Sequence, residues 1–356
     1  MKKLFEVKPV DEKFYRSGIR DFLPEKIIDI HAHIWKKRKD KTVYQKNRVV
    51  SWPSRVAEEN PIEHLLQSYK LFFPGKQVIP LLFNSPTAGK NLDILNRYVI
   101  MSAKKYKLPS LMLSRPDWSE DKFSKSLARG NFLGVKPYLS FAPGNIRADS
   151  ICIFDFIPHH QLEILNTGGK ILLLHIPRSG RLRDSVNLSQ MLEIERKYPK
   201  IKLIIAHVGR AYCIEDVGDA FKTLKGTRMF FDISANTNET VFLRLIETVG
   251  PERILFGSDL PITRMRMRRI CEKGVYINLV PEGLYGDVSG DKNMREVTGK
   301  EAENLSFFMY EEIHAFRKTS EKAGLTRRDI EKVFYSNAAR MLGDVGFIAG
   351  KRFKKL

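Results

Sequence analysis

The stretch Lys26-Ile27-Ile28-Asp29-Ile30-His31-Ala32-His33 decides how the rest of this 356-residue chain is interpreted. It is an apolar run that ends in two histidines, and it predicts a buried strand. Side chains alternate between the faces of a strand, so residues two apart share a face with Cα atoms roughly 6.6 Å apart. The imidazoles of His31 and His33 can therefore reach one ion, since a metal–nitrogen bond is about 2.0–2.1 Å long. Two histidines at a strand end are common, however, so a metal site needs further ligand residues.

The composition is that of an ordinary soluble protein with a packed core, with 43% hydrophobic and 29% charged residues. The net charge of +20 would favour contact with polyanions. The 61 lysines and arginines are nevertheless spread over predicted helix faces and loops, with short clusters only at 36–39, 264–269 and 351–355. No RNA-binding aromatic signature accompanies them. We therefore expect a solvated basic surface and no specific nucleic-acid partner.

The cysteines and the apolar segments bear on where the protein works. Cys152, Cys213 and Cys271 lie far apart with no CxxC spacing, which argues against a disulfide framework or a structural zinc site. No segment approaches the roughly 20 apolar residues of a membrane span, and the amino terminus lacks the apolar core of a signal peptide. We expect a cytoplasmic protein with no membrane partner.

Short apolar strands alternate with amphipathic helices after a lead-in segment at 1–25. The pattern predicts strands at 77–83, 110–113, 133–139 and 227–233, and helices near 61–72, 90–106, 120–129 and 156–166. Units of about 30 residues are typical of parallel βα folds. The connection at 34–60 is longer than a structural turn and indicates a functional loop.

Three strands in the second half end in residues that can bind a metal. The apolar run from Lys170 leads into His175, the run from Lys202 into His207, and the run from Arg253 into Asp259. Near-continuous apolar runs predict strands that helices cover on both sides. Eight such units favour an α/β (β/α)8 TIM barrel, in which chemistry occurs at the carboxyl-terminal rim of the strands. The histidines and the aspartate would converge there.

As a set, these motifs resemble the amidohydrolase superfamily of metal-dependent barrels, in the branch that includes aminocarboxymuconate-semialdehyde decarboxylase. The matching segments are Asp29–His33, Leu174-His175, Ala206–Gly209, Asp232–Ala235, Phe256–Pro261 and Asn337–Leu342. The resemblance covers about residues 26–262 and 326–343. It implies a single barrel domain over 1–356 with a closing helix at 326–343. Residues 264–304 match no part of the pattern and are predicted to be an insertion after the last strand.

The residue types predict a divalent metal ion, with zinc as the first choice and manganese as the alternative. A catalytic zinc takes three protein ligands and keeps one position for water, whose pKa falls to about 7. We expect His31, His33 and His175 to be neutral ligands. The resemblance implies that Asp259 binds the metal or its water and accepts the proton of that water as a general base. His207 would polarise the substrate carbonyl or move a proton.

Three cations are candidates for substrate binding. Arg178 and Arg210 closely follow the fifth and sixth strands, and the planar fork of arginine suits a carboxylate or a phosphate. These arginines predict a small anionic substrate. Lys136, on the fourth strand, would contact substrate or a carboxylate. As in some superfamily members, it could instead be carbamylated and bridge two metal ions.

We therefore predict a metal-dependent hydrolase that attacks an amide, ester or lactone with a metal-activated water. Two alternatives stay open, because one metal constellation serves several chemistries. The first is non-oxidative decarboxylation of an unsaturated or aromatic carboxylic acid. The second is a non-catalytic basic binding protein. A homo-oligomer is compatible with the sequence.

Overall fold

A computed structural model describes residues 4–37, 55–86 and 91–347. Two sheets in it are parallel. Strands β1 (Lys26–His33) and β2 (Gln77–Phe83) form the first. The second contains five strands in chain order: β3 (Gly134–Val135), β4 (Ile171–Leu174), β5 (Lys202–Ile205), β6 (Phe230–Asp232) and β7 (Ile254–Leu255). Most of the predicted loop at 34–60 and the basic tail at 351–355 lie outside the described residues.

Isolated parallel bridges connect the edges of these two sheets. Leu82 bridges to Ser110, Met112 to Val135, and Ala32 to Leu260. The strand predicted at 110–113 is therefore present only as bridging residues. The strand predicted at 133–139 ends at Val135. Pro137 follows and has no N–H to donate to a neighbouring strand.

Helices alternate with the strands, as the sequence predicts. Among the described residues, the helices of five or more residues between β1 and β7 include Ile62–Phe72, Leu92–Tyr106, Glu120–Arg129, His159–Thr167, Ser185–Lys197, Ala220–Leu224 and Glu239–Val249. Polar residues begin several of them. The side chains of Asn91, Ser119 and Asp184 accept backbone N–H groups of the first turn, which is the usual preference at this position. One large buried apolar cluster contains residues of the strands and of the inward helix faces, so the core lies between these layers.

The two ends of the chain pack onto this core. In the lead-in, the helix Pro9–Phe14 continues into a turn at Tyr15–Ile19, and the Tyr15 hydroxyl donates to the carbonyl of Pro74 at 2.9 Å. The predicted closing helix consists of three consecutive helical segments, Arg327–Glu331, Lys332–Ser336 and Asn337–Asp344. No helix of the described ranges is long and apolar enough to cross a membrane.

The segment at 264–304 forms a small sheet of its own. Strands β8 (Arg268–Glu272) and β9 (Val275–Pro281) are antiparallel, and β10 (Met294–Val297) pairs with β9 in parallel. A short helix, Gly299–Glu303, and the long helix Phe308–Lys322 follow. The β8–β9 hairpin lies against the loop that follows β5, because Cys213 and Cys271 are joined in a disulfide with Cα atoms 5.8 Å apart.

Two sequence predictions are wrong in this region. The absence of CxxC spacing argued against a disulfide, but the insertion brings together two cysteines that are 58 residues apart. The cluster at 264–269 was predicted to be solvated surface. Arg266 is instead 5% exposed and pairs with the buried carboxylate of Asp11 at 2.7 Å, and Arg269 is 8% exposed. A buried arginine needs such partners, which lie too far away in sequence to be anticipated.

Candidate metal and active site

The carboxyl-terminal end of β1 meets Asp259, which follows β7. Nε2 of His33 lies 3.1 Å from Oδ1 of Asp259, and Nε2 of His31 lies 3.6 Å from the same oxygen. The backbone N–H of Asp259 also donates to the carbonyl of His31 at 2.8 Å. The structure thus brings two imidazole nitrogens to one carboxylate oxygen at the rim of the sheet.

His207 completes a compact group with these residues. One atom each of His31, His207 and Asp259 lies within 4.8 Å of the other two. Nδ1 of His207 lies 3.1 Å from the carbonyl oxygen of Ser234 and 2.9 Å from its hydroxyl. A carbonyl only accepts, so Nδ1 carries the proton and Nε2 presents a lone pair. This tautomer suits a metal ligand or a proton acceptor.

Asp232 is a further candidate for the site, which the sequence analysis does not include. Its Oδ2 lies 2.9 Å from Nδ1 of His31, and its Oδ1 accepts the backbone N–H of His207 at 2.8 Å. A carboxylate in this position fixes the ring orientation of a metal-ligating histidine. The available signal was its place as the last residue of β6, next to the strand ends that carry His175 and His207.

The side chain of Asp29 connects the end of β1 with the segment after β7. Its carboxylate accepts the Tyr69 hydroxyl at 2.6 Å and the backbone N–H groups of Ser258 and His31 at 2.8 and 3.0 Å. Burial raises the pKa of Asp29 to about 6. Its contacts tie β1 to the segment after β7, and so hold His31 and Asp259 in register.

The electrostatic environment favours neutral imidazoles at His31, His175 and His207 and an ionised Asp259. Burial lowers the pKa of His31, lowers that of His207 to about 4 and lowers that of His175 well below its ordinary value. Burial opposes ionisation of Asp259. The hydrogen bond with His33, and the histidine charges that form at low pH, nevertheless hold the pKa of this carboxyl below its usual value. Neutral imidazole and ionised carboxylate are the forms that bind metal.

A cavity of about 180 Å³ opens at this group. His175 lies on its wall with its ring centre 5.4 Å from that of His207. Lys136 is 1% exposed and lies 4.7 Å from the ring centre of Tyr138, and burial lowers the pKa of its amine to about 8. The predicted residues on the cavity wall are His31, His33, Lys136, His175, His207, Arg210 and Asp259.

The two predicted arginines differ in position. Arg210 lines the cavity, and its Nη1 donates to the carbonyls of Ile176, Pro177 and Arg178 at 3.1–3.4 Å. The Arg178 guanidinium instead pairs with Asp184 at 3.1 Å and is not among the residues that line the cavity. The structure thus brings Arg210 to the candidate site and places Arg178 at the start of the following helix.

Two cavity residues, Arg269 and Tyr276, come from the insertion and were not predicted. The sequence offered only that Arg269 belongs to a basic cluster in a segment without a recognisable pattern.

The donor set fits a divalent transition metal. Imidazoles together with one carboxylate are the ligands of catalytic zinc sites and are also accepted by manganese. Nδ1 of His175 is buried and has no hydrogen-bond partner among the described residues, although buried polar atoms are almost always paired. His175 lines the same cavity as His31, His207 and Asp259, so its unpaired Nδ1 is consistent with a role as a metal ligand.

The fold and the site define a class of proteins, and comparison identifies it. A family model for amidohydrolases matches residues 28–343. The chain belongs to the amidohydrolase family. Among curated proteins, none matches this sequence.

Solved structures share the fold over nearly the whole chain. A putative 2-pyrone-4,6-dicarboxylic acid hydrolase from Pseudomonas putida superimposes with a TM-score of 0.51 at 15% identity, covering 90% of this chain and 98% of the other. A 2,6-dihydroxybenzoate decarboxylase from Rhizobium gives 0.51 at 12% identity, covering 91% and 100%. A dihydroxybenzoic acid decarboxylase from a Polaromonas species, with bound manganese and 2-nitroresorcinol, gives 0.52 at 13%, covering 90% and 97%. At these identities the likeness concerns the fold.

Proposed function

We propose that the chain is a metal-dependent hydrolase that directs a metal-activated water at a small anionic amide, ester or lactone. One observation carries the proposal. A single oxygen of Asp259 lies 3.1 Å from His33 and 3.6 Å from His31 on the wall of a cavity that also contains His175 and His207. An ion held by these histidines would lie next to this carboxylate, so Asp259 would be within reach of the water that attacks the substrate.

His31, His33, His175 and Asp259 would hold the ion, with zinc as the first choice and manganese as the alternative. When bound, a divalent ion acts as a Lewis acid and lowers the pKa of a coordinated water to about 7, which provides a nucleophile at neutral pH. The chain's own residues supply the rest.

Asp259 is held ionised, so it can accept a proton as the water attacks the substrate carbonyl. Nδ1 of His207 donates to the carbonyl of Ser234, so Nε2 carries a lone pair and no proton. His207 is therefore better suited to move a proton than to polarise the substrate carbonyl by donating a hydrogen bond. Asp232 prepares both steps, because it fixes the ring of His31 and the backbone of His207. Arg210 and Lys136 would contact the anionic part of the substrate.

The proposal includes a closed (β/α)8 barrel in one domain over 1–356. The bridges from Leu82 to Ser110 and from Met112 to Val135 link β2 to β3, and the bridge from Ala32 to Leu260 links β1 to the segment after β7, which supports closure. Contact of Arg178 with substrate, a cytoplasmic location and self-association stay predictions.

Decarboxylation of an aromatic or unsaturated acid is a second candidate, which Lys136 favours. Loss of carbon dioxide leaves an electron pair on carbon, and that carbon must take up a proton. The Lys136 ammonium is buried in the cavity and has a pKa of about 8, so it holds a proton at neutral pH that it can donate. In a hydrolase the same ammonium would contact substrate.

A substrate panel distinguishes these reactions. Metal-loaded protein would be incubated with lactones, esters, amides and aromatic or unsaturated acids, with hydrolysis products and released carbon dioxide both measured. We expect turnover that a chelator abolishes and that added zinc or manganese restores. Carbon dioxide without hydrolysis products would establish the second candidate. Chelator-resistant turnover would contradict the metal dependence of the proposal. No turnover in metal-loaded protein would contradict the enzyme and favour a non-catalytic binding protein.

A further inference from the structure

The insertion forms one wall of the candidate site. Its β8 carries Arg269 and its β9 carries Tyr276, and both line the cavity with the metal-ligand candidates. The disulfide between Cys213 and Cys271 fixes this hairpin to the loop after β5, where Tyr212 also lines the cavity.

We propose that Arg269 is a specificity-determining residue, which binds the anionic group of a compact carboxylate substrate together with Arg210. The inference rests on the proposed function, because it assigns the recognition of substrate at that same site. It gives the insertion the task of selecting substrates.

Arg269 is held in one orientation by its neighbours. Its Nε donates to Oδ1 of Asn278 at 2.8 Å, and its Nη1 donates to the carbonyl of Ala235. The guanidinium carbon lies 4.4 Å from the ring centre of Tyr212 and 4.8 Å from that of Tyr276. A guanidinium fixed in this way loses little further freedom when it binds a ligand, which favours affinity.

The backbone of Ala235, whose carbonyl accepts the hydrogen bond from Arg269, is itself held in place. Ala235 has a positive φ of 50°, and its backbone N–H donates to Oε2 of the buried Glu312 at 2.7 Å. The helix Phe308–Lys322 therefore supports the loop whose carbonyl orients Arg269. A side chain needed only to cover the hairpin would not require such a chain of contacts.

Arg210 approaches the same place from the loop after β5. Tyr212 and Tyr276 lie close enough to influence both guanidiniums electrostatically. Burial lowers the pKa of Arg210 and of Arg269, but arginine starts so far above neutrality that both stay charged. Within the described ranges, no carboxylate lies within 4.0 Å of a nitrogen of Arg210, and its Nη1 donates to backbone carbonyls. A half-buried cation of this kind is stabilised by an anionic partner, which a substrate carboxylate would provide.

The size of the cavity restricts the ligand. Arg269 and Asp259 line one cavity of about 180 Å³, and the charge of Asp259 influences Arg269. A single small substrate could therefore react beside Asp259 and contact Arg269 with its carboxylate.

The test is a charge comparison on metal-loaded protein. Small aromatic and dicarboxylic acids, including 2,6-dihydroxybenzoate, would each be paired with the corresponding neutral amide, and binding measured by titration calorimetry. The wild-type protein should prefer the acids. Arg269→Gln should reduce this preference roughly 10- to 100-fold, as expected for a lost hydrogen bond to a charged group, with amide affinity and metal content unchanged.

Arg268→Gln is the matched control, because it removes the same charge from the neighbouring residue of β8. Its side chain is 47% exposed and lies 3.6 Å from Glu311. This variant should keep the wild-type preference. Arg269→Lys keeps the charge without the fork and should lie between wild type and Arg269→Gln, which also provides a measurement should the Gln variant not fold.

A wild-type protein without preference for acids, or full preference in Arg269→Gln or Arg269→Lys, would overturn the inference. Such results would leave the proposed function intact, since chelator-sensitive turnover is measured separately. A preference lost in Arg269→Gln, in a protein without turnover, would support the anion site and contradict the enzyme.

Discussion

Replacing Asp259 by asparagine separates catalysis from folding with little disturbance of the backbone. Asp259 has a φ of 52°, in the left-handed region that asparagine and aspartate tolerate better than most residues. The amide keeps the shape of the carboxyl group and an oxygen that can accept a hydrogen bond from an imidazole. It lacks the negative charge that lies 3.1 Å from His33, and it has almost no basicity.

The expected loss follows from the role proposed for this carboxylate. General acid–base groups contribute roughly 10²–10⁴-fold to rates, which corresponds to about 2.7–5.5 kcal/mol of barrier. We therefore expect kcat/KM of Asp259→Asn to fall by at least about 100-fold. The protein should fold and keep much of its metal, because the histidine ligands remain.

The assay combines steady-state kinetics on a substrate from the panel with metal analysis and circular dichroism. Asp329→Asn is a suitable control, since Asp329 lies outside the cavity wall and accepts the backbone N–H of Thr326 in a capping box, and asparagine keeps an oxygen that can accept this bond. The control should retain its activity. Near-normal turnover by folded, metal-loaded Asp259→Asn would refute the assignment of Asp259 as the base.

Three further predictions concern stability and partners. Burial raises the pKa of the Glu312 carboxyl well above 4.5. As pH rises, the folded protein therefore keeps the carboxyl proton of Glu312 longer than the unfolded chain does. The contribution of Glu312 to the free energy of unfolding falls over this range. Glu312→Gln keeps an acceptor for Ala235, so its stability relative to wild type, measured by urea unfolding, should increase from about pH 5 to 8; a constant difference would contradict this. Reducing the disulfide between Cys213 and Cys271 should lower the free energy of unfolding by about 2–4 kcal/mol. The Cys271→Ser variant should not respond to reductant. Equal unfolding midpoints of the wild-type protein with and without reductant would contradict this prediction. The protein should bind nonspecific DNA with a Kd no tighter than about 10⁻⁶–10⁻⁴ M at physiological salt. Submicromolar, sequence-selective binding would contradict this prediction.

The sequence was informative where local pattern determines structure. Apolar runs that end in His31, His175, His207 and Asp259 mark buried parallel strands, and parallel strands in one sheet bring their carboxyl ends to one edge. The grouping of His31, His207 and Asp259 could therefore be anticipated without coordinates.

Contacts between distant segments could not be anticipated in this way. Asp232 bonds to His31 across 201 residues, and only the fold shows that the two meet. The insertion has no pattern to read, so the position of Arg269 and the disulfide to Cys213 were missed. Arg178 follows a strand end as Arg210 does, but the nearby Asp184 binds its guanidinium.

Metal content tests the central claim, that the histidine and aspartate cluster is a catalytic metal centre. Protein purified after expression with zinc or manganese would be analysed by mass spectrometry for bound metal, and we predict about one ion per chain. Replacing His31 and His33 together by alanine should remove it. The same change at His159 and His160, which bond to the Tyr198 hydroxyl and the Trp118 carbonyl, should leave it in place. Metal at background level in the wild-type protein, or unchanged metal in the His31 and His33 variant, would contradict the claim.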